Sequence, residues 1–134
     1  MKLAMLVVLT AAMASACEDS NPVAPSDVVA QNWGLVSLQR DGSGVVVADP
    51  AKYTLRLEED GRVGVKSDCN SCGGSYSLSG SDLEFSAIAC TKVACQTPTL
   101  DPDYALALEG PKTVSLSDSE LVIRGSGVTL RFRR

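Results

Sequence analysis

Residues 53–66 read Tyr53-Thr54-Leu55-Arg56-Leu57-Glu58-Glu59-Asp60-Gly61-Arg62-Val63-Gly64-Val65-Lys66. Tyr53, Leu55 and Leu57 alternate with Thr54, Arg56 and Glu58, the period of two expected of a strand with one buried face. Glu59-Asp60-Gly61 is turn chemistry, after which Val63 and Val65 alternate with Arg62, Gly64 and Lys66. Residues 52–67 are therefore predicted to form an antiparallel hairpin, and a chain written this way is mainly β.

The same period recurs on both sides. Trp33, Leu35 (with Val36) and Leu38 mark a first strand and Val45 to Val47 a short second one, while Tyr76 and Leu78 are followed, across Gly80-Ser81-Asp82, by Leu83 and Phe85. Val114 and Leu116, Leu121 and Ile123, then Val128, Leu130 and Phe132 give three more, separated by Ser117-Asp118-Ser119 and Gly125-Ser126-Gly127. One stretch departs from the alternation. Asp101-Pro102-Asp103, the run Tyr104 to Glu109 and Gly110-Pro111 combine an Asp cap, a proline in the first turn and a Gly-Pro stop. They predict a short helix on which Tyr104 and Leu108, four apart, share a face. About eight short strands and one short helix predict a small curved antiparallel sheet closing into a barrel-like fold.

With 134 residues the chain holds one small domain. Its net charge of -4 and lack of a basic stretch argue against nucleic acid as a partner. The histidine count is zero, which excludes Ser-His-Asp and Cys-His catalysis and any zinc site that needs imidazole. Glu58, Glu59 and Asp60 sit in a turn with no partner that would raise a pKa for acid-base work. The expectation is a non-enzyme with no catalytic residue, no cofactor and no metal.

The beginning of the chain reads as an address. Lys2, the apolar run Leu3 to Met13 and Ala14-Ser15-Ala16 make residues 1–16 an export signal, too short to span a bilayer. Ala14-Ser15-Ala16-Cys17 resembles the lipobox of bacterial lipoproteins, with Ala14 where a Leu is more usual. That resemblance implies acylation of the Cys17 thiol and attachment to a membrane through the lipid. Glu18 stands where an Asp would signal inner-membrane retention in enterobacterial lipoproteins, so the expected location is the outer membrane, facing the periplasm. Residues 17–31, with two prolines and little apolar material, read as a lipidated cysteine and flexible tether, and the folded domain as 32–134.

Four further cysteines lie around one hairpin, at Cys69, Cys72, Cys90 and Cys95. An exported chain meets an oxidising compartment, where disulfides are the default, and four cysteines allow three connectivities. If 76–79 and 82–87 are antiparallel partners, positions outside them meet in nested order, pairing Cys72 with Cys90 and Cys69 with Cys95. Two other readings of these residues compete with it. The spacing C-x2-C-x17-C-x4-C approaches a four-cysteine zinc pattern but lengthens the second knuckle. Cys69 to Cys72 has redox CxxC spacing but lacks a following helix to lower a thiol pKa.

Trp33-Gly34-Leu35, the hairpin ending Gly61-Arg62-Val63-Gly64, Cys69-Asn70, Gly74-Ser75-Tyr76, Leu83-Glu84-Phe85, Thr91 with Ala94-Cys95 and the closing Leu130-Arg131-Phe132 together resemble the META domain of HslJ-like envelope proteins. The resemblance covers about residues 32–134. It implies a barrel-like β domain with one helix after the Ala-Cys element, often carried by an exported lipoprotein, and an association with envelope stress and antibiotic tolerance rather than a defined reaction. Cys69 and Cys95 lie nearer the family pattern, and Cys72 and Cys90 are an additional pair. Asp68 replaces a usual Gly, and Asp101 and Asp103 a Glu-rich helix start. Asn70, Tyr76 and Thr91 match the pattern and are the candidate binding residues. The structural reading of each is also open: Asn70 and Gly74 as turn formers, Tyr76 as a core or rim aromatic, Thr91 as a loop hydrogen-bonder.

The functional expectation is a monomeric, non-enzymatic binding or structural module of the envelope, with an envelope protein or small ligand as partner. The alternative is a disulfide-stabilised inhibitor of a hydrolase such as a lysozyme or protease, inserting a loop from 41–50 or 96–103. A thiol-disulfide enzyme would require free Cys69 and Cys72 thiols.

Overall fold

The computed structural model describes residues 24–134, and the expected signal (1–16), the acylated Cys17 and the first part of the tether, to residue 23, lie outside them. The chain forms α1 (Pro25–Val28), β1 (Trp33–Arg40), β2 (Ser43–Val46), a 3-10 turn (Pro50–Lys52), β3 (Tyr53–Leu57), β4 (Arg62–Ser67), β5 (Asn70–Ser79), β6 (Asp82–Cys90), α2 (Asp103–Ala107), β7 (Pro111–Ser117), β8 (Glu120–Gly125) and β9 (Val128–Arg133). All strand neighbours are antiparallel. Around the sheet the order is β1-β3-β4-β5-β6-β7-β8-β9, and β1 pairs back onto β9 from Gly34 with Arg133 to Arg40 with Val128. Eight strands close the barrel, and β2 is an additional edge strand on the second half of β1.

The alternation read in 53–66 is the alternation that fills the barrel. Tyr53, Leu55, Leu57, Val63 and Val65 point inward and are buried, while Arg56 pairs with Glu58 and Asp60 with Arg62 outside. Gly61 takes φ +85°, a left-handed conformation that a side chain would strain, and its N–H donates to Glu58 O at 3.2 Å. Asp60 accepts the Arg62 N–H and guanidinium at 3.1 and 2.6 Å, which hold its carboxyl below the usual range. From the other strands come Trp33, Leu35, Leu83, Leu121, Ile123, Leu130 and Phe132, all essentially without exposure, so side chains occupy the interior.

Two short helices cover opposite ends of the β3–β4 hairpin. At the Leu57 end the expectation of a tether up to residue 31 is corrected. Val28 of α1 is fully buried, the Trp33 indole N–H donates to Val28 O at 2.9 Å, and the Ala30 N–H donates to Leu57 O at 2.7 Å. Val28 and Val29 contribute too little to make a core alone, but they cover apolar surface that the barrel already exposes at this end.

At the other end, α2 places Tyr104 and Leu108 inside, as their spacing predicts. Tyr104 stacks edge-on against Tyr53 with ring centroids 5.9 Å apart, and its hydroxyl donates to Thr54 O at 3.0 Å. Burial raises the pKa of that phenol far above its ordinary value. The helix is shorter than the sequence suggests, and Asp101 does not cap it. The cap position is Pro102, without a side-chain bond, because the Asp101 carboxylate is engaged elsewhere.

Candidate functional site

The barrel wall is incomplete in one place. β6 pairs with β5 from Asp82 to Cys90 but with β7 only from Asp82 to Glu84. β7 cannot start earlier because Gly110-Pro111 follows the helix and proline has no N–H to extend the ladder. The gap is spanned by α2 and the segment 91–102, and the residues there form the candidate site.

Two disulfides hold its strand side. Cys72 and Cys90 are register partners of the β5–β6 ladder, and Cys69 and Cys95 are joined just outside it. The nested order expected from the hairpin is the order observed. Partner positions sum to 161 from Ser79–Asp82 to Ser75–Ser86 and to 162 at Cys72–Cys90, so β6 carries one extra residue there, a bulge in which Ala87, at φ +53°, and Ile88 both lie opposite Gly74. Gly74 is therefore a close-approach glycine within a strand and not a turn former. A Cβ there would lie 2.8 Å from Ser86 O and 3.1 Å from Ala87 O. All four sulfurs are used in pairs, which replaces both the four-cysteine zinc arrangement and a dithiol at Cys69 and Cys72.

Asn70 is the hub of this corner. It is buried at 1% exposure, and its Nδ2 donates to Val93 O and Asp101 Oδ2, each at 2.9 Å. Its Oδ1 accepts from Thr91 Oγ1 at 2.9 Å and from the Val93 N–H at 2.8 Å. Asp101 also accepts from Ser67 Oγ at 2.8 Å, and Thr91 Oγ1 accepts from the Ser71 N–H at 3.0 Å. One amide thus ties β5 to the 91–95 segment and to the approach to α2. The turn-former reading of Asn70 is corrected to that of a buried crosslink, whereas Thr91 is the loop hydrogen-bonder expected of it.

Tyr76 does not join them. It lies at the rim beside α1 and Glu59, its hydroxyl donating to Glu58 O at 2.7 Å. Partial burial, then the charges of Asp60, Glu58 and Glu59, raise its pKa above the ordinary value.

Beside the corner runs a groove of about 750 Å3, between Ile88, Ala89 and Cys90 of β6, the segment Thr91–Ala94, and Pro102, Ala105 and Leu106 around α2. Two of the four exposed large apolar side chains among the described residues, the others being Val45 and Val46 on β2, flank it: Val93 and Leu106, at 58% and 49% exposure. Neither is singled out by the sequence, although Leu106, two residues from both Tyr104 and Leu108, is placed on the helix's outer face by the spacing that buries those two. A second depression of about 410 Å3 lies near Asp82, Lys112 and Arg124. Its Lys112 amine is turned onto the carbonyls of Glu109 and Gly110 after α2.

The META domain family model matches residues 26–134. Among solved structures, an NMR structure of a protein from Burkholderia xenovorans is similar with a TM-score of 0.67 at 24% identity, over 94% of this chain and 98% of that one. A DUF4847 family protein from Bacteroides vulgatus ATCC 8482 gives 0.59 at 12% identity, over 81% and 95%. A lipocalin-like protein from Bacteroides uniformis ATCC 8492 gives 0.55 at 18% identity, over 81% and 98%. At these identities the likeness is one of fold. No curated protein matches the chain.

Proposed function

The chain belongs to the META domain family, and from that premise we propose that it acts without catalysis as a lipid-anchored module of the cell envelope, binding another envelope component in support of stress or antibiotic tolerance. The family and its barrel neighbours fit a binding or structural module. The observation that carries the reading is the contrast at the wall gap. The buried polar groups there are satisfied by one another and the four cysteines are paired, so the ionisable side chains left on the groove's lining are the exposed Lys92 and Glu109, while the groove beside the network stays open. Such a site offers apolar contact and shape rather than proton transfer.

The inhibitor alternative needs a loop that stands clear of the body. Both candidate loops are held down: 43–46 is strand β2, and the Leu100 N–H donates to Tyr53 Oη at 2.9 Å.

Fractionation of cells producing the parent chain and Cys17→Ser tests the anchor. The parent is expected with the outer membrane, and the variant free in the periplasm or with its leader uncleaved, because serine cannot form the thioether. Identical membrane fractionation of the two would remove the lipid anchor from the proposal.

A further inference from the structure

The two bridges at the wall gap differ in what decides how readily a disulfide exchanges. Cys72 is buried among the core residues, so a thiolate released there would sit in apolar surroundings that raise its pKa. Cys69 is exposed and Cys95 partly buried. Their bridge lies outside the strand ladder, joining the turn between β4 and β5 to the end of the segment Thr91–Ala94 that walls the groove.

The two sulfurs of this outer bridge are not equivalent. The Cys69 main-chain N–H donates to Cys95 Sγ at 3.2 Å, and Asn70 Nδ2, whose hydrogens are shared with Val93 O and Asp101 Oδ2, lies 3.5 Å from the same sulfur. Among the described residues no N–H meets Cys69 Sγ or either sulfur of the Cys72–Cys90 bridge. Val93 O stands 3.8 Å from Cys69 Sγ and 3.9 Å from Cys95 Sγ, and so does not distinguish them. The nearby carboxylates have partners of their own, Asp101 in Ser67 Oγ and Asn70 Nδ2, Asp68 in Lys52 at 4.0 Å. An N–H aimed at a sulfur favours its thiolate, and the thiol of lower pKa is the better leaving group.

We propose that Cys69–Cys95 is a thiol-disulfide exchange site, attacked at Cys69 by the thiolate of a dithiol reductant protein. The attacking sulfur bonds to Cys69 Sγ, the Cys69–Cys95 bond breaks, and its electron pair leaves on Cys95 Sγ, where the Cys69 N–H receives the thiolate. The reductant's second thiolate then attacks the reductant sulfur of the mixed disulfide, and Cys69 leaves with that bond's electron pair. The dithiol is thereby oxidised to a disulfide and the bridge reduced by two electrons, with water protonating the thiolates released. This chain is the substrate of the exchange and not its catalyst. Reduction stays local, because Asn70 still ties Thr91 and Val93 to β5 and Cys72–Cys90 still joins β5 to β6. What it frees is the stretch between two held points, Val93 and Leu100, whose N–H remains on Tyr53 Oη.

The test uses the oxidised Cys17→Ser chain, which carries no fifth thiol and no lipid, so its outcome is independent of the anchor and of what the groove binds. Dithiothreitol serves as the dithiol and glutathione as a monothiol that halts at the mixed disulfide. Samples are quenched over time with N-ethylmaleimide and read by peptide mass spectrometry. Cys69 and Cys95 are expected to become alkylated at least tenfold sooner than Cys72 and Cys90, with slow amide exchange in β5 and β6 retained. The earliest glutathione species should carry glutathione on Cys69 and N-ethylmaleimide on Cys95. In single variants, the free Cys95 of Cys69→Ala should reach half-maximal alkylation at a lower pH than the free Cys69 of Cys95→Ala. Loss of both bridges at one rate, earlier loss of Cys72–Cys90, glutathione first on Cys95, or a Cys95 that titrates no lower than Cys69 would each overturn the proposal.

Discussion

The wall made by β7, β8, β9 and β1 and the wall made by β5, β6 and the 91–102 segment solve the same closure problem by different means. In the first, β8 pairs with β9 along Glu120–Gly125 and β9 with β1 along Val128–Arg133, and the inward positions are Val114, Leu121, Ile123, Leu130, Phe132 and Leu35. In the second, β6 parts from β7 after Glu84, β5 carries Gly73 and Gly74, and the inward apolar residues dwindle to Leu83, Phe85 and Cys72. Two disulfides and one buried amide stand where the first wall has packing. Alternation suffices where a wall closes on itself, and crosslinks appear where it is held open beside a groove.

The sharpest blow to the first wall is Phe132→Ala. Phe132 is fully buried with its ring 6.2 Å from that of Tyr104, so truncation leaves a cavity among residues already at close packing. A loss of about 3 to 5 kcal/mol is expected from the urea midpoint, with global unfolding brought closer for both walls. A loss under about 1 kcal/mol would mean that the interior repacks freely and that close packing is not what holds this wall.

The second wall is broken covalently. Cys69→Ala should cost about 2 to 4 kcal/mol and leave Cys95 alkylatable in the folded protein. Cys72→Ala should expose Cys90 instead, since the bridges join Cys69 to Cys95 and Cys72 to Cys90. Hydrogen exchange should quicken around 91–95 well before β8 and β9 respond. Peptide mapping that recovers Cys69 joined to Cys90 would refute the nested pairing.

Much of this contrast is legible in the sequence. The period of two places the strands, the Tyr104–Leu108 spacing places the helix face, and hairpin arithmetic places both bridges. Three features are not legible there, each for a physical reason. Val28 gives a local window too little apolar content to signal folding, and its burial depends on the barrel end that Leu57 and Trp33 create. Asp101 stands where a cap is favoured, but a carboxylate makes a stronger bond to a buried amide such as Asn70 than to one frayed helical turn. The groove is an absence of pairing between β6 and β7, and alternation along a strand says nothing about how far its neighbour accompanies it.

Asn70 separates the covalent from the polar share of the second wall. Asn70→Ala removes partners from the Val93 N–H and from Asp101 while keeping both disulfides, and should cost about 1 to 3 kcal/mol. Asn70→Asp places a carboxylate where Nδ2 now meets Asp101 Oδ2 at 2.9 Å. Two carboxylates cannot both stay ionised there, so this variant should be weaker than Asn70→Ala at neutral pH and recover as the pH falls through the carboxylate range. Equal stability of the two at neutral pH would remove Asp101 from the network.

The smallest effect lies at the join of the two walls, where Lys112 on β7 folds over Gly125 and turns its amine to the carbonyls that end α2. Desolvation lowers its pKa below the ordinary 10.5, partly opposed by the Glu109 charge. Between the lowered value and 10.5 the folded amine is neutral while the unfolded one keeps its proton, so the unfolded state binds more protons and stability rises with pH. Below that window both states are charged and the contribution is flat. Buried Tyr104 and half-buried Tyr76 act oppositely above their ordinary 10.0, because their raised values keep the folded phenols protonated. The measurement is therefore a difference: urea midpoints of the parent and Lys112→Met from neutral pH to just below 10.5. The tyrosines cancel, and the parent should gain on the variant only over the alkaline end. A difference that stays constant across the range would mean that the amine is as well solvated in the folded protein as in the unfolded chain.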